Sequence, residues 1–276
     1  MRTKICFDID EVISSWCGAY FSFIRKNWHR LDIKDRCWEG ILNADERSMT
    51  SWNCFTEKFG MDRKTSLYVY GKFCDEKEFA RCPLVDDKVS IGLRRLKEAT
   101  RYGCELIYCT SRPPRTIFDT VENFTRKGIP FDTIYHCSGY TAKREISRAM
   151  YGNGVADCFT MTDIPNVAGP VLFPDIKTKS DVFTKEKPDV VLDDNPDYLL
   201  EAVRAGVPRC ILVSRRHNQK WRRECLKDYP GIIATNPGWS TVGGTLSTLC
   251  EVLGVGPIPL KTRVTLHGNK VKSEAF

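Results

Sequence analysis

Ile5-Cys6-Phe7-Asp8-Ile9-Asp10-Glu11-Val12 sets a short apolar run directly against two carboxylates. The run is too brief for a helix and suits a buried strand that ends at Asp8. The same pattern returns in Asp189-Val190-Val191-Leu192-Asp193-Asp194-Asn195-Pro196-Asp197, the clearest buried strand of the chain. Between and beyond these two runs, strands alternate with helices. Val85 to Arg101 reads as an amphipathic helix through Val89, Leu93, Leu96 and Ala99. Glu105 to Cys109 is a strand leading into Thr110-Ser111-Arg112, and Thr116 to Lys127 is a helix stopped by Gly128 and Pro130. Short strands are expected at Ile134–Tyr135, Val171–Phe173, Cys210–Val213 and Ile232–Ala234, and helices at Tyr198–Ala205 and Thr241–Leu253. Such alternation predicts an α/β fold with a mostly parallel sheet covered by helices on both faces. In sheets of this kind ligands collect beyond the carboxyl ends of the strands.

The stretch from about 14 to 80 differs in character. It holds Trp16, Trp28, Trp38 and Trp52, four of the six tryptophans, and few β-branched runs. Trp16, Tyr20, Ile24 and Trp28 recur every four residues and line one face of a helix. The division predicted is a core of residues 1–13 and 84–254, a helical insertion at 14–83, and a peripheral tail at 255–276 without clear periodicity.

Composition narrows the function classes. The chain has 276 residues, 42% of them hydrophobic, enough for a sizeable core. No apolar run approaches the roughly 20 residues needed to cross a bilayer, and acids stand near the amino terminus where a signal peptide needs an apolar stretch. A cytoplasmic location is the expectation. Thirteen cysteines, with no Cys-x-x-Cys pair and only four histidines, do not give a zinc site. They predict reduced thiols packed as small hydrophobes. The net charge of +7 suits a solvated basic surface and attraction for anions equally. The densest basic run is Arg215, Arg216, His217, Lys220, Arg222 and Arg223 around Trp221, read as an exposed helix face, with nucleic-acid contact as the alternative.

Four polar clusters stand at strand ends: Asp8 with Asp10, Thr110 with Ser111, Lys177 or Lys179, and Asp193 with Asp194. Singly, each has an ordinary structural reading. Thr110 and Asp197 can cap helices, and Arg112 can be a surface guanidinium. Two carboxylate pairs converging at one sheet edge are costly unless a cation compensates them. An all-oxygen donor set suits Mg2+.

In order and placement, ICFDIDEV, LIYCTSR, Lys179 and VVLDDNPD resemble the haloacid-dehalogenase superfamily of phosphohydrolases. The stretch from about 84 to 200, with RKGIPFDTIY and Lys179 fourteen residues before Asp193, most resembles its 5′(3′)-deoxyribonucleotidase-type branch. The resemblance implies a Rossmann-type core with a cap inserted after the first strand. It implies Asp8 as nucleophile and Asp10 as general acid and base. Thr110, with Ser111 and Arg112, is implied at the phosphate, and Lys179 as the charge-neutralising ammonium. Asp193 and Asp194, with Asp8 and the Asp10 carbonyl oxygen, are implied as ligands of Mg2+. The implied substrate is a small phosphorylated molecule, a nucleotide foremost. The alternatives are a sugar phosphate, a nucleic-acid end, or a catalytically silent binding protein on the same fold. Glu11 departs from the pattern, for the family usually has glycine there, and that puts the usual shape of the loop into question.

Overall fold

β1 (Thr3–Asp8) lies near the middle of a six-stranded parallel sheet, flanked by β2 (Cys104–Thr110) and β4 (Val190–Asp193). With β3 (Thr133–His136), β5 (Arg209–Leu212) and β6 (Ile232–Ala234) the order is β3-β2-β1-β4-β5-β6. This computed structural model describes residues 2–31, 39–51, 54–100, 102–137, 178–260, 262–267 and 270–275. The strand order reverses direction between β1 and β4, so a crevice opens above their carboxyl ends. The register sets Phe7 opposite Leu192 and Asp8 opposite Cys109, which brings the acids after β1 beside those after β4.

Strand alternation sorts the core onto two faces. Ile5, Phe7, Leu106, Tyr108, Val190, Leu192 and Ile211 face one way. They pack on Leu93 and Leu96 of α4 (Val89–Ala99), Phe124 of α5 (Ile117–Lys127) and Leu246 and Leu249 of α8 (Thr245–Leu253). Cys6, Ile107, Cys109, Val191, Cys210 and Leu212 face the other way. Val182 and Phe183 of α6 (Lys179–Glu186) and Leu199 and Ala202 of α7 (Pro196–Arg204) cover them. Helices thus lie on both faces, as the alternating pattern predicts.

The insertion after β1 has its own aromatic core. It is built on α1 (Trp16–Asn27), the short α2 (Cys54–Glu57) and α3 (Arg63–Asp75). Tyr20, Phe21, Phe23, Ile24, Phe55 and Phe73 are buried there, in edge-to-face contacts such as Tyr20 with Phe55 and Phe23 with Phe73. Trp38 and Trp52 lie outside the described residues. The chain leaves and re-enters the core through adjacent segments. The Ser15 N–H donates to Pro83 O (2.8 Å) and the Val85 N–H to Ile13 O (3.0 Å). That paired crossing fixes the insertion over the end of β1.

One sequence expectation is revised. Asn195, with Pro196 at the first helical position, caps α7; the Asp197 N–H donates to the Asn195 side chain, so Asp197 is not the cap. The stretch from 255, which lacks a periodic signal, holds an antiparallel pair, β7 (Thr262–His267) and β8 (Lys270–Ala275). The strand expected at Val171–Phe173, and Lys177, lie outside the described residues. The eleven described cysteines are unpaired, and all but Cys225 are buried. Among the described residues no helix is long and apolar enough to cross a membrane.

Candidate active site

Lys179 opens α6, whose first turn is held by a reciprocal cap. The Asp181 N–H donates to Thr178 Oγ1 (3.1 Å) and the Thr178 N–H to Asp181 Oδ2 (2.8 Å). From this anchored turn the ammonium donates to Asp8 Oδ1 and Asp193 Oδ2, both at 2.6 Å. The second oxygen of Asp193 accepts the Asn195 N–H (2.8 Å). Below the ammonium lies the Tyr198 ring, 4.1 Å from its centroid, and the Tyr198 hydroxyl meets Ser111 Oγ at 3.0 Å. All three charged side chains are buried.

Asp8, Asp193 and Asp194 bring one carboxylate oxygen each within 4.8 Å of one another. The electrostatics follow from burial and crowding. Loss of solvent foremost, opposed by Lys179, and then the charges of Asp193, Asp194 and Asp10, push the Asp8 carboxyl well above the usual range. Burial likewise raises Asp193, to about 6, against the pull of Lys179. Lys179 stays protonated because Asp193 and Asp8 outweigh its own desolvation.

Asp10 has a different partner. Arg112, only 1% exposed, donates through Nε to both Asp10 oxygens (3.1 Å each) and through Nη2 to Oδ1 (2.6 Å). Its Nη1 donates to Thr120 Oγ1 (3.1 Å), and its guanidinium lies 4.4 Å over the Phe79 ring of the insertion. Arg112 is therefore no surface residue, and its bonds go to the acid rather than outward. Thr110, fully buried, accepts the Arg112 N–H at Oγ1 (3.2 Å). It caps no helix; this local turn leaves its hydroxyl proton available to another acceptor.

With all four carboxylates ionised, Lys179 and Arg112 would leave two negative charges uncompensated. A hard dication with oxygen ligands matches that deficit, so the donor set fits Mg2+. Both Asp193 oxygens are already engaged, which leaves Asp8 and Asp194 as the better-placed donors. Asp10 is not part of the carboxylate cluster.

Glu11 keeps the loop shape that glycine would allow. Its φ is +61°, in the left-handed region. Its buried carboxylate accepts the Cys17 N–H (2.8 Å), a donor at the start of α1. Burial raises the pKa of this carboxyl, while the Cys17 bond and the charge of Arg215 oppose the rise.

Sequence reasoning did not assign a site role to the turn after β5. Arg215 Nε donates to Glu11 O, His217 Nε2 lies 2.7 Å from Asp194 Oδ2, and Asn218 Nδ2 donates to Asp194 O (2.8 Å). The run read as an exposed basic face thus splits. Arg215 and His217 turn inward, whereas Arg216, Lys220 and Arg223 remain exposed. Its place directly after an apolar strand was the available signal, by the same rule that singled out the other strand ends.

No protein-family model matches the chain, and no curated protein matches it. Among solved structures it is similar to a haloacid dehalogenase-like family hydrolase from Streptococcus pneumoniae. That pair shares 15% identity over 86% of this chain and 95% of the other, with a TM-score of 0.47. It is similar to a HAD family hydrolase from Deinococcus radiodurans R1, solved with bound phosphate and sodium. There the identity is 11%, the coverage 93% and 99%, and the TM-score 0.46. A 2-haloacid dehalogenase from Pseudomonas syringae pv. Tomato DC3000 gives 15%, 92% and 99%, and 0.42.

Proposed function

We propose that this chain is a magnesium-dependent phosphomonoesterase of the haloacid-dehalogenase type that works through an aspartyl-phosphate on Asp8. The observation that carries the reading is one buried ammonium bridging Asp8 and Asp193 at the β1/β4 crevice, with Asp194 in the same carboxylate cluster.

Lys179 holds Asp8 Oδ1, which fixes the carboxylate and leaves Oδ2 to attack phosphorus. Attack forms the O–P bond of the intermediate as the ester P–O bond breaks. Asp10, oriented by Arg112, gives its proton to the departing alkoxide. In the second half Asp10 takes a proton from water, whose oxygen displaces Asp8 from phosphorus. Thr110 Oγ1, and Ser111 beside it, donate to phosphoryl oxygens, while Lys179 offsets the charge that gathers there. Asp8, the Asp10 carbonyl oxygen and Asp194, with Asp193 behind them, would hold Mg2+. The ion supplies the positive charge that lets an anionic nucleophile approach an anionic phosphate.

The helical insertion acts as a cap that closes the site from water. Trp16 and Tyr70, 6.3 Å apart between ring centroids, pack against the insertion's core but are only partly buried, and Tyr68 is exposed; Phe55 and Phe73 are taken up in that core. They support a nucleotide, a 5′-nucleotide or deoxynucleotide, as the preferred substrate. A nucleic-acid end draws less support, because Arg215 and His217 point inward. Unpaired thiols throughout the described residues support a reducing compartment such as the cytoplasm.

The test is a phosphatase screen over nucleotides, sugar phosphates and phosphorylated oligonucleotides, with and without Mg2+. Turnover is expected on nucleotides, abolished by chelation and restored by Mg2+. Asp8→Asn is expected to lower kcat by about 10⁴-fold or more while keeping the fold. Unchanged turnover in that variant overturns the mechanism.

A further inference from the structure

We infer that His217 is a positioning residue for Asp194 and that the turn Arg215–Asn218 sets the cation affinity of the site; the inference rests on the proposed function. Four bonds converge on this turn. The Asn218 side chain donates to Asp194 O (2.8 Å) and Val213 O (2.9 Å) and accepts the Arg215 N–H (3.0 Å). Arg215 Nε donates to Glu11 O, on the loop that carries Asp10. The base of the turn is anchored by the Ser214 N–H, which donates to Thr235 Oγ1 (3.0 Å) just beyond β6. One short segment therefore grips the backbones of both acid-bearing loops.

Within this clamp His217 meets the carboxylate itself. Nε2 stands 2.7 Å from Asp194 Oδ2, with the two side chains 2% and 1% exposed. The contact lies off the ideal hydrogen-bond line. Lys179 is committed to Asp8 and Asp193, which leaves His217 as the group that orients Asp194. His217 stays outside the set of ligand atoms that lie within 4.8 Å of one another, so it acts through Asp194 and not on the ion. Partners of this kind, once removed, typically lower metal affinity by about 10–100-fold.

The experiment measures Mn2+ and Mg2+ binding calorimetrically on substrate-free full-length protein, beside activity at rising metal concentration. His217→Ala is expected to bind at least about tenfold more weakly than wild type. Saturating metal is expected to restore most of its kcat. His217→Gln, which keeps an N–H donor, is expected to recover most of the affinity. In an Asp194→Asn background His217→Ala is expected to cost nothing further, because its effect runs through that carboxylate. Wild-type affinity in His217→Ala, or additive losses in the double variant, overturns the inference and leaves the proposed function standing. Absence of cation binding by the wild-type protein overturns both. Circular dichroism melts without metal identify a variant that has lost its fold, and His217→Gln then decides by recovering affinity or failing to.

Discussion

Asp8 and Asp10 are separated by a single residue, yet each takes its cation from a different part of the molecule. Lys179, on a helix of the core, holds Asp8 together with Asp193, so the proposed nucleophile is tied to the sheet. Arg112, on the loop after β2, holds Asp10 and lies against Phe79 of the insertion, so the proposed acid is tied to the insertion. The α5 segment strengthens that second link. Asn123 Nδ2 donates to Ala80 O (3.1 Å) and Cys82 O (2.9 Å), and Arg115 pairs with Asp75 at 2.8 Å. In the proposed mechanism attack on phosphorus would thereby be anchored in the sheet, and proton transfer in the loop that meets the insertion.

This contrast can be broken experimentally. Lys179→Met removes the ammonium shared by two buried carboxylates. It is expected to lower kcat roughly 10³-fold and, without metal, to destabilise the fold by about 3 kcal/mol, read by steady-state kinetics and urea unfolding. Arg112→Leu leaves Asp8 untouched and frees Asp10 to rotate. Its expected loss is about 10–100-fold in kcat with little change in KM, and Arg112→Lys recovers only part because one ammonium cannot reproduce a forked contact. An equal loss in KM would move Arg112 to the phosphate instead. Phe79→Leu removes the ring beneath the guanidinium and costs about 1 kcal/mol. It is expected to weaken the proton-transfer half and leave the rate of aspartyl-phosphate formation from an ester with an acidic leaving group unchanged, as measured by rapid quench.

A fourth test sits on the Arg112 side. His136, at the end of β3, is buried, and burial together with the charge of Arg112 pushes its pKa from 6.5 down to about 3. The folded protein therefore holds it neutral, whereas the unfolded chain protonates it near 6.5. Its contribution to stability is complete above 6.5 and is lost as pH falls from there toward 3. The slope expected is about 1.4 kcal/mol per pH unit. His136→Gln should flatten that slope relative to wild type in unfolding curves taken across this window.

Much of the core is legible in the chain because its signals are local. An apolar triplet followed by an acid marks the strand ends at Asp8 and Asp193, Thr110 closes a third apolar run, and the spacing to Asp193 singles out Lys179. Which cation serves which acid is a different matter. Arg112 gives no sequence sign that it is buried, because its partners Asp10, Thr120 and Phe79 come from three separate segments. His217 is hidden for the opposite reason. It stands among exposed arginines and lysines, and the local pattern there is that of a solvated turn. Pairings set by tertiary approach leave little trace in spacing.

Glu11 bears on how such a turn is specified. A backbone bend usually reserved for the smallest residue persists here under a long acidic side chain that reaches forward to the next helix. The path of the chain at this turn is then set by its torsion angles, and residue identity is one of several means of keeping to it. A pattern that demands glycine after the second aspartate passes over this turn, whereas one written in torsion angles finds it.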